Sequence, residues 1–210
     1  MKKLLFALCG LLAMGLVGQA NAVTLGLTPS TQTASTGDNV MLDLVIDGLG
    51  DFAADSLGDF DINIGYDTAS LSFLGYTLGE FLGDELLGEA IDYSLGDIGS
   101  GVINIAELSL LDANPLSGPS FFGPYLDDIQ ASSFVLASLE FHVDSLAPGD
   151  STTVGFDTVN ALGDAYGLVL TLDASRDAVI SAPITSVPEP SSLLLLGIGL
   201  GLLSRRRKTA

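Results

Sequence analysis

The sequence predicts an all-β protein, a two-sheet β-sandwich, and three observations carry that expectation. Apolar residues alternate with polar ones over many short runs. Glycine-, proline- and aspartate-rich turns such as "STGDN", "APGDS" and "GDAYG" separate those runs. No long stretch between the two chain ends shows a helical period. Eight or more short strands with regular turn punctuation are the pattern of a sandwich.

The elements follow in order. "VTLGLTPS" (23–30) alternates, and "NVMLDLVIDGL" (39–49) puts Val40, Leu42, Leu44 and Ile46 on one face. "GDFDINIGYD" (58–67) sets Phe60, Ile62, Ile64 and Tyr66 against Asp59, Asp61, Asn63 and Gly65. Read from Asp59, the same stretch resembles the opening of a calcium loop. Such a loop needs Gly at its sixth position and a bidentate Glu at its twelfth. Those positions hold Ile64 and Ser70, so the stretch is read as a strand with its polar row outward. "ASLSFLGYTLG" (69–79) places Leu71, Phe73 and Gly75 on one face, and "GVINIAELSLL" (101–111) offers Ile103, Ile105 and Leu108. "SSFVLASLEFHVDS" (132–145) runs Val135, Ala137, Leu139, Phe141 and Val143 inward. "STTVGFDTVNAL" (151–162) and "YGLVLTLDAS" (166–175) complete the set. "GEFLGDELLGEA" (79–90) has room for one helical turn. "LDANPLSGPSFFGPYLDD" (111–128) reads as a long loop that carries Phe121, Phe122 and Tyr125.

Both ends of the chain read as addresses. Lys2 and Lys3, the apolar run Leu4 to Val17, and Ala20-Asn21-Ala22 form a secretory signal peptide, with the cut expected after Ala22. Cys9 follows Leu8 rather than a small residue, which argues against a lipoprotein. The cut removes the only cysteine, so the mature chain has no disulfide and relies on its core. At the other end Pro188, Glu189 and Pro190 precede a wholly apolar run, Leu193 to Leu203, and then Arg205, Arg206, Arg207 and Lys208. A helix over 191–204 is about 21 Å long, short against a hydrocarbon layer of about 30 Å. Snorkelling cations help it span, and the cationic cluster stays cytoplasmic. Gly197 and Gly201 are spaced as in helix-pairing motifs.

Charge excludes one class of partner. Of 26 acids only Glu189 lies outside residues 23–187, and Arg176 is the body's single cation. The body thus carries 25 acids against one Arg, about 24 negative charges. Nucleic acid is no partner for such a surface, since neutralising phosphates takes Lys and Arg. The acids are spaced among regular Leu, Ile, Val and Phe positions, and 48% of the chain is hydrophobic, so the charge does not mean disorder.

Two resemblances add to this. Val187-Pro188-Glu189-Pro190, the apolar run and "RRRK" resemble the PEP-CTERM sorting signal, over about 24 residues. The resemblance implies processing by an exosortase-type membrane enzyme in a Gram-negative bacterium that makes exopolysaccharide, and a destination at the cell surface or in the matrix. An uncleaved single-pass anchor is the alternative. The body, through "TGDNVMLDLVIDGL", "FDINIGYD", "LSFLGYTLGEFLGD" and "SSFVLASLEFHVDSLAPGDSTTVGFDTVNALGDAYG", resembles the cohesin family. That resemblance implies a nine-stranded jelly-roll sandwich, related to cellulose-binding modules. It also implies a flat sheet face bearing Asp59, Asp61 and Asn63 that receives a dockerin. The chain differs from cohesins in its scarcity of cations and in the loop at 111–128.

The expected organisation is therefore a signal peptide (1–22), a cohesin-like sandwich (23–183), a linker with the sorting motif (184–192), a short transmembrane helix (193–204) and a basic cytoplasmic tail (205–210). No catalytic residue is expected. Nothing singles out a carboxylate pair of the kind glycoside hydrolysis needs, His142 stands on a strand beside Glu140, and no nucleophile elbow occurs. No cofactor is expected, although Asp84 with Glu85, or Asp127 with Asp128, are acids that calcium would suit. The leading expectation is a non-enzymatic surface or matrix protein that binds polysaccharide or a protein partner through a sheet face or the aromatic loop. A cohesin-like dockerin receptor is the alternative, and a polysaccharide hydrolase stands behind both.

Overall fold

The structure is a computed structural model that describes residues 22–50, 55–114 and 123–184. Twelve strands lie in the described residues: β1 Ala22–Thr28, β2 Thr31–Thr33, β3 Asn39–Asp47, β4 Leu57–Tyr66, β5 Leu71–Leu78, β6 Ala90–Asp92, β7 Gly96–Gly99, β8 Val102–Ser109, β9 Ser133–Val143, β10 Ser151–Asp164, β11 Thr171–Arg176 and β12 Ala178–Ser181. They form two sheets. One has the order β11-β1-β3-β9-β5, and the other runs β2-β12-β10-β4-β8-β6, with β7 also on β8. Only β1/β11 and β2/β12 pair in parallel; the rest are antiparallel. The expected jelly-roll sandwich is the observed architecture. The described residues hold twelve strands against the nine that the resemblance implies, short β2, β6 and β7 among them.

The core is the inward row of each strand. Val23, Leu25 and Leu27 come from β1, and Val40, Leu42, Leu44 and Ile46 from β3. Phe60, Ile62 and Ile64 come from β4 and face Ile103 and Ile105 of β8. Phe141 sits edge-on to Tyr66 at 5.5 Å and to Phe73 at 5.7 Å, a favoured arrangement of ring quadrupoles. Each such side chain fully removed from water contributes about 1.5–3 kcal/mol. The stretch that resembles the opening of a calcium loop is thus a strand as far as Tyr66, which is half-buried at its end.

Strict alternation fails where strands bulge, since one extra residue flips every side chain that follows. A register shift between Phe73 and Gly75 makes Tyr76 and Leu78, rather than Gly75, the partners of the core. In β9 the pairing skips Leu136. Before that point Phe134 and Leu136 are inside and Val135 is half-buried on the other side. In β8 the third inward position after Ile103 and Ile105 is Glu107, not Leu108; Glu107 pairs with inward Phe60.

Candidate functional site

The outward row of β4 is held between two neighbours. β10 lies on one side, with Asn63 opposite Thr158 and Asp61 opposite Ala161. β8 lies on the other, with Asn63 opposite Asn104 and Asp61 opposite Ala106. The polar side chains of this face bind one another. The Asn104 Nδ2 amide donates to Asp61 Oδ1 at 2.6 Å and to Asn63 Oδ1 at 2.9 Å. From β10, Asn160 Nδ2 donates to the same Asp61 oxygen at 3.0 Å. Asn104 Oδ1 accepts from the Leu95 backbone N–H at 3.1 Å, which ties the link between β6 and β7 to the face. Three strands are thereby locked side by side by amide and carboxylate groups, with Asn104 itself buried under the link that carries Leu95.

Asp59 continues the row at the start of β4. It faces Gly163, where any Cβ would strike its carboxylate. Partial burial and the nearby Asp164 charge both raise its pKa. Asp164 is itself buried, and its Oδ1 accepts from the N–H groups of Tyr166 and Leu168, both at 2.8 Å. That shapes the turn presenting Leu168 and Val169. Asp59, Asn160, Gly163 and Val169 line a shallow groove of about 420 Å³. Val169 bridges Gly163 and is 89% exposed; Leu95, at the opposite flank, is 74% exposed. A polar, internally bonded centre therefore lies between two exposed aliphatic groups.

The sequence-derived site residues divide accordingly. Asp59, Asp61 and Asn63 share this face. Tyr125 precedes the short helix α1 (Leu126–Ile129). Gln130, just after that helix, clamps Leu57 N–H and C=O at 2.8 and 2.7 Å and the Phe81 C=O at 3.1 Å. Tyr125 thus belongs to the end of the sandwich where β4 begins. Phe121, Phe122, Ala20 and the motif residues Pro188, Glu189 and Pro190 lie outside the described residues. Ala22 opens β1, and Val23 is its first buried residue. Asn104, Asn160, Leu95 and Val169 were not legible as site residues, because cross-strand register and bulges decide their neighbours.

Among the described residues no three of His, Cys, Asp and Glu converge to hold a metal ion. Asp84 instead caps the 3₁₀ turn Glu85–Leu87 by accepting from Leu86 N–H. His142 stands on β9 with Nδ1 2.8 Å from Asn39 Oδ1. Glu107 has its carboxyl raised to about 8, by burial first and by Glu85 and Asp92 second. Its side chain is 2% exposed. Among the described residues no helix is long and apolar enough to cross a membrane; the expected span at 193–204 lies outside them.

Two mixed sheets in this strand order form a sandwich. The fold is that of the cohesins. The seventh ScaB type I cohesin from Pseudobacteroides cellulosolvens superposes with a TM-score of 0.56 at 14% identity, covering 80% of this chain and 96% of its own. CaCohA2 from Clostridium acetobutylicum gives 0.56 at 18%, over 78% and 92%. A type I cohesin–dockerin complex from Clostridium thermocellum gives 0.55 at 13%, over 77% and 99%. At the C-terminal end, residues 186–208 match the PEP-CTERM protein-sorting motif. The chain is thus a cohesin-fold module carrying a PEP-CTERM sorting signal, which marks it for export. No curated protein matches it in sequence.

Proposed function

We propose that this is a non-enzymatic protein of the cell surface or extracellular matrix, and that its sandwich binds a protein partner through the outward face of β10, β4 and β8. The observation that carries this is the Asp61–Asn63–Asn104–Asn160 network between exposed Leu95 and Val169. Fixed polar groups give register, and flanking aliphatic groups add buried area when covered. A dockerin-type module is the partner that the cohesin fold favours. It would present basic or amide groups, because the face offers Asp59 and Asp61 and no cation. An exosortase-type enzyme processes the C-terminal tail in this reading, and residues 193–204 hold the chain in the membrane until then.

Polysaccharide is the second reading, favoured by one observation. Asn114 Nδ2 donates to the Tyr166 hydroxyl at 2.9 Å, which joins the segment leading to Phe121, Phe122 and Tyr125 to a half-exposed ring beside the Val169 turn. Sugars stack on such rings.

Binding of the purified chain to the host's dockerin-bearing proteins and to its exopolysaccharide separates the two. Val169→Asp and Asn160→Ala should each weaken the protein partner at least tenfold. Met41→Ala, on the opposite sheet and 57% exposed, should not. Equal binding by all three variants would sink the reading. Mass spectrometry of the protein from its host tests the sorting claim: an intact 193–208 tail on the surface form contradicts processing.

A further inference from the structure

A second concavity opens where the free edges of the two sheets meet. Its walls are Tyr76, Leu78 and Glu80 of β5 and the residues after it, Asp84, Glu85 and Leu86 of the 3₁₀ turn, and Asp92 of β6; its volume is about 540 Å³. Four of these residues are acids, and no described cation is near them in sequence or pairing. Asp92 is partly neutralised in its hydrogen bonding: Oδ2 accepts from the Tyr76 hydroxyl at 2.7 Å and Oδ1 from Ser94 N–H at 2.7 Å. Beneath lies Glu107. It is the cross-strand partner of Asp92, so both side chains leave their strands on the same side, toward the cleft. Glu107 is 2% exposed, and neither carboxyl oxygen has a hydrogen-bond partner. A buried carboxyl without a donor is costly, and its place behind an acid-lined cleft says what is missing there.

We propose that this cleft between β5 and β6 binds an organic cation, an ammonium or guanidinium group on an aliphatic stem, whose positive charge and N–H donors complete the Glu107–Asp92–Glu85 cluster. The walls suit that chemistry. The Tyr76 ring, Leu78 and Leu86 offer apolar surface to a methylene stem, while the acids receive its head. The volume falls in the range of small-ligand clefts and is large for a bare ion, and the described acids do not converge as metal ligands do. The site lies apart from the β10–β4–β8 face and stands whether or not that face binds a partner.

Binding should be linked to protons. Glu107 is held protonated by burial and by the negative charges of Glu85 and Asp92. The groups around it are Asp92 from β6, Glu85 from the 3₁₀ turn, the Tyr76 hydroxyl acting through Asp92 from β5, and apolar Phe60 from β4. Glu80 and Asp84 stand further round the rim, and Glu89, buried outside the cleft, accepts through Oε2 from Asp84 N–H at 3.0 Å. A cation arriving among these acids favours the ionised Glu107, so a proton leaves as it binds.

The test is isothermal titration calorimetry of the full chain in non-ionic detergent with agmatine, putrescine, an Arg/Lys-rich peptide and calcium chloride. Agmatine or putrescine is expected to bind at pH 7 with proton release, measured by repeating the titration in buffers of different ionisation enthalpy. Affinity should rise at least tenfold between pH 6 and pH 9. Glu107→Gln should abolish both the proton release and the pH dependence. Glu85→Gln, which lines the cleft without being buried in it, should weaken binding several-fold and guards against misfolding of the first variant. A peptide that binds tenfold tighter than agmatine identifies a basic side chain of a partner as the source of the cation, and comparable affinities identify a free amine. Absence of binding by all three organic cations, binding of calcium alone, or organic-cation binding unchanged in Glu107→Gln would overturn the proposal.

Discussion

Replacing Glu107 with Gln should flatten the dependence of stability on pH. The wild-type carboxyl moves from an ordinary value of 4.5 to about 8 in the fold. In the unfolded chain it ionises near 4.5, so between the two values the unfolded state binds fewer protons than the native one. Stability then falls as pH rises, by about 1.4 kcal/mol per unit for one proton. Below 4.5 both states are protonated and the group adds no pH-dependent cost. Above 8 the full cost is present, on the order of 5 kcal/mol. Glutamine has nearly the same shape and never ionises, so the variant lacks this slope. The remaining acids titrate in both proteins and cancel in the difference. Urea unfolding at intervals from pH 4.5 to 9, followed by far-ultraviolet circular dichroism, gives the two curves. Glu107→Gln should match wild type near pH 4.5 and exceed it by several kcal/mol at pH 9. Parallel curves would refute the claim that this side chain is sealed beside Glu85 and Asp92.

Three further outcomes follow from the packing. Ile62→Ala empties a fully buried site in the centre of β4 and should cost about 2–5 kcal/mol, read as a lower urea midpoint with an unchanged slope. Gly101→Ala combines a φ of +75° with a Cβ that would collide with the Tyr66 carbonyl. It should cost about 1–3 kcal/mol, whereas Gly26→Ala, with open space around it, should shift stability by less than about 1 kcal/mol. Asn104→Ala removes the donor to Asp61 and Asn63 and the acceptor for Leu95 N–H. A loss of about 1–3 kcal/mol should come with faster hydrogen exchange at the Leu95 amide.

Two-residue periodicity made the sandwich legible, because burial on one face of a strand is a local property of the chain. Phe60, Ile62 and Ile64 fall inside as their spacing requires, and the stretch that resembles a calcium loop is a strand for the same reason. The spacing misleads after the bulge at Phe73/Gly75 and before the one at Leu136, where one extra residue exchanges the faces and no residue type announces the change.

The order of motif, apolar run and cations at the C-terminus is a linear pattern, so the sequence alone sufficed to recognise the sorting motif. Asp59, Asp61 and Asn63 were placed correctly on an outward row, again by alternation. Their partners were not: Asn104 and Asn160 lie about 41 and 97 residues from Asn63 along the chain and reach the row only through cross-strand register. Glu107 illustrates the same division. The spacing puts Leu108 at the third inward position of β8, where register places Glu107, and nothing local tells that Asp92 and Glu85 lie close enough to act on it. Periodicity settles which side of a strand a residue takes. Long-range pairing settles what it meets there, and the chemistry of both proposed sites depends on the second.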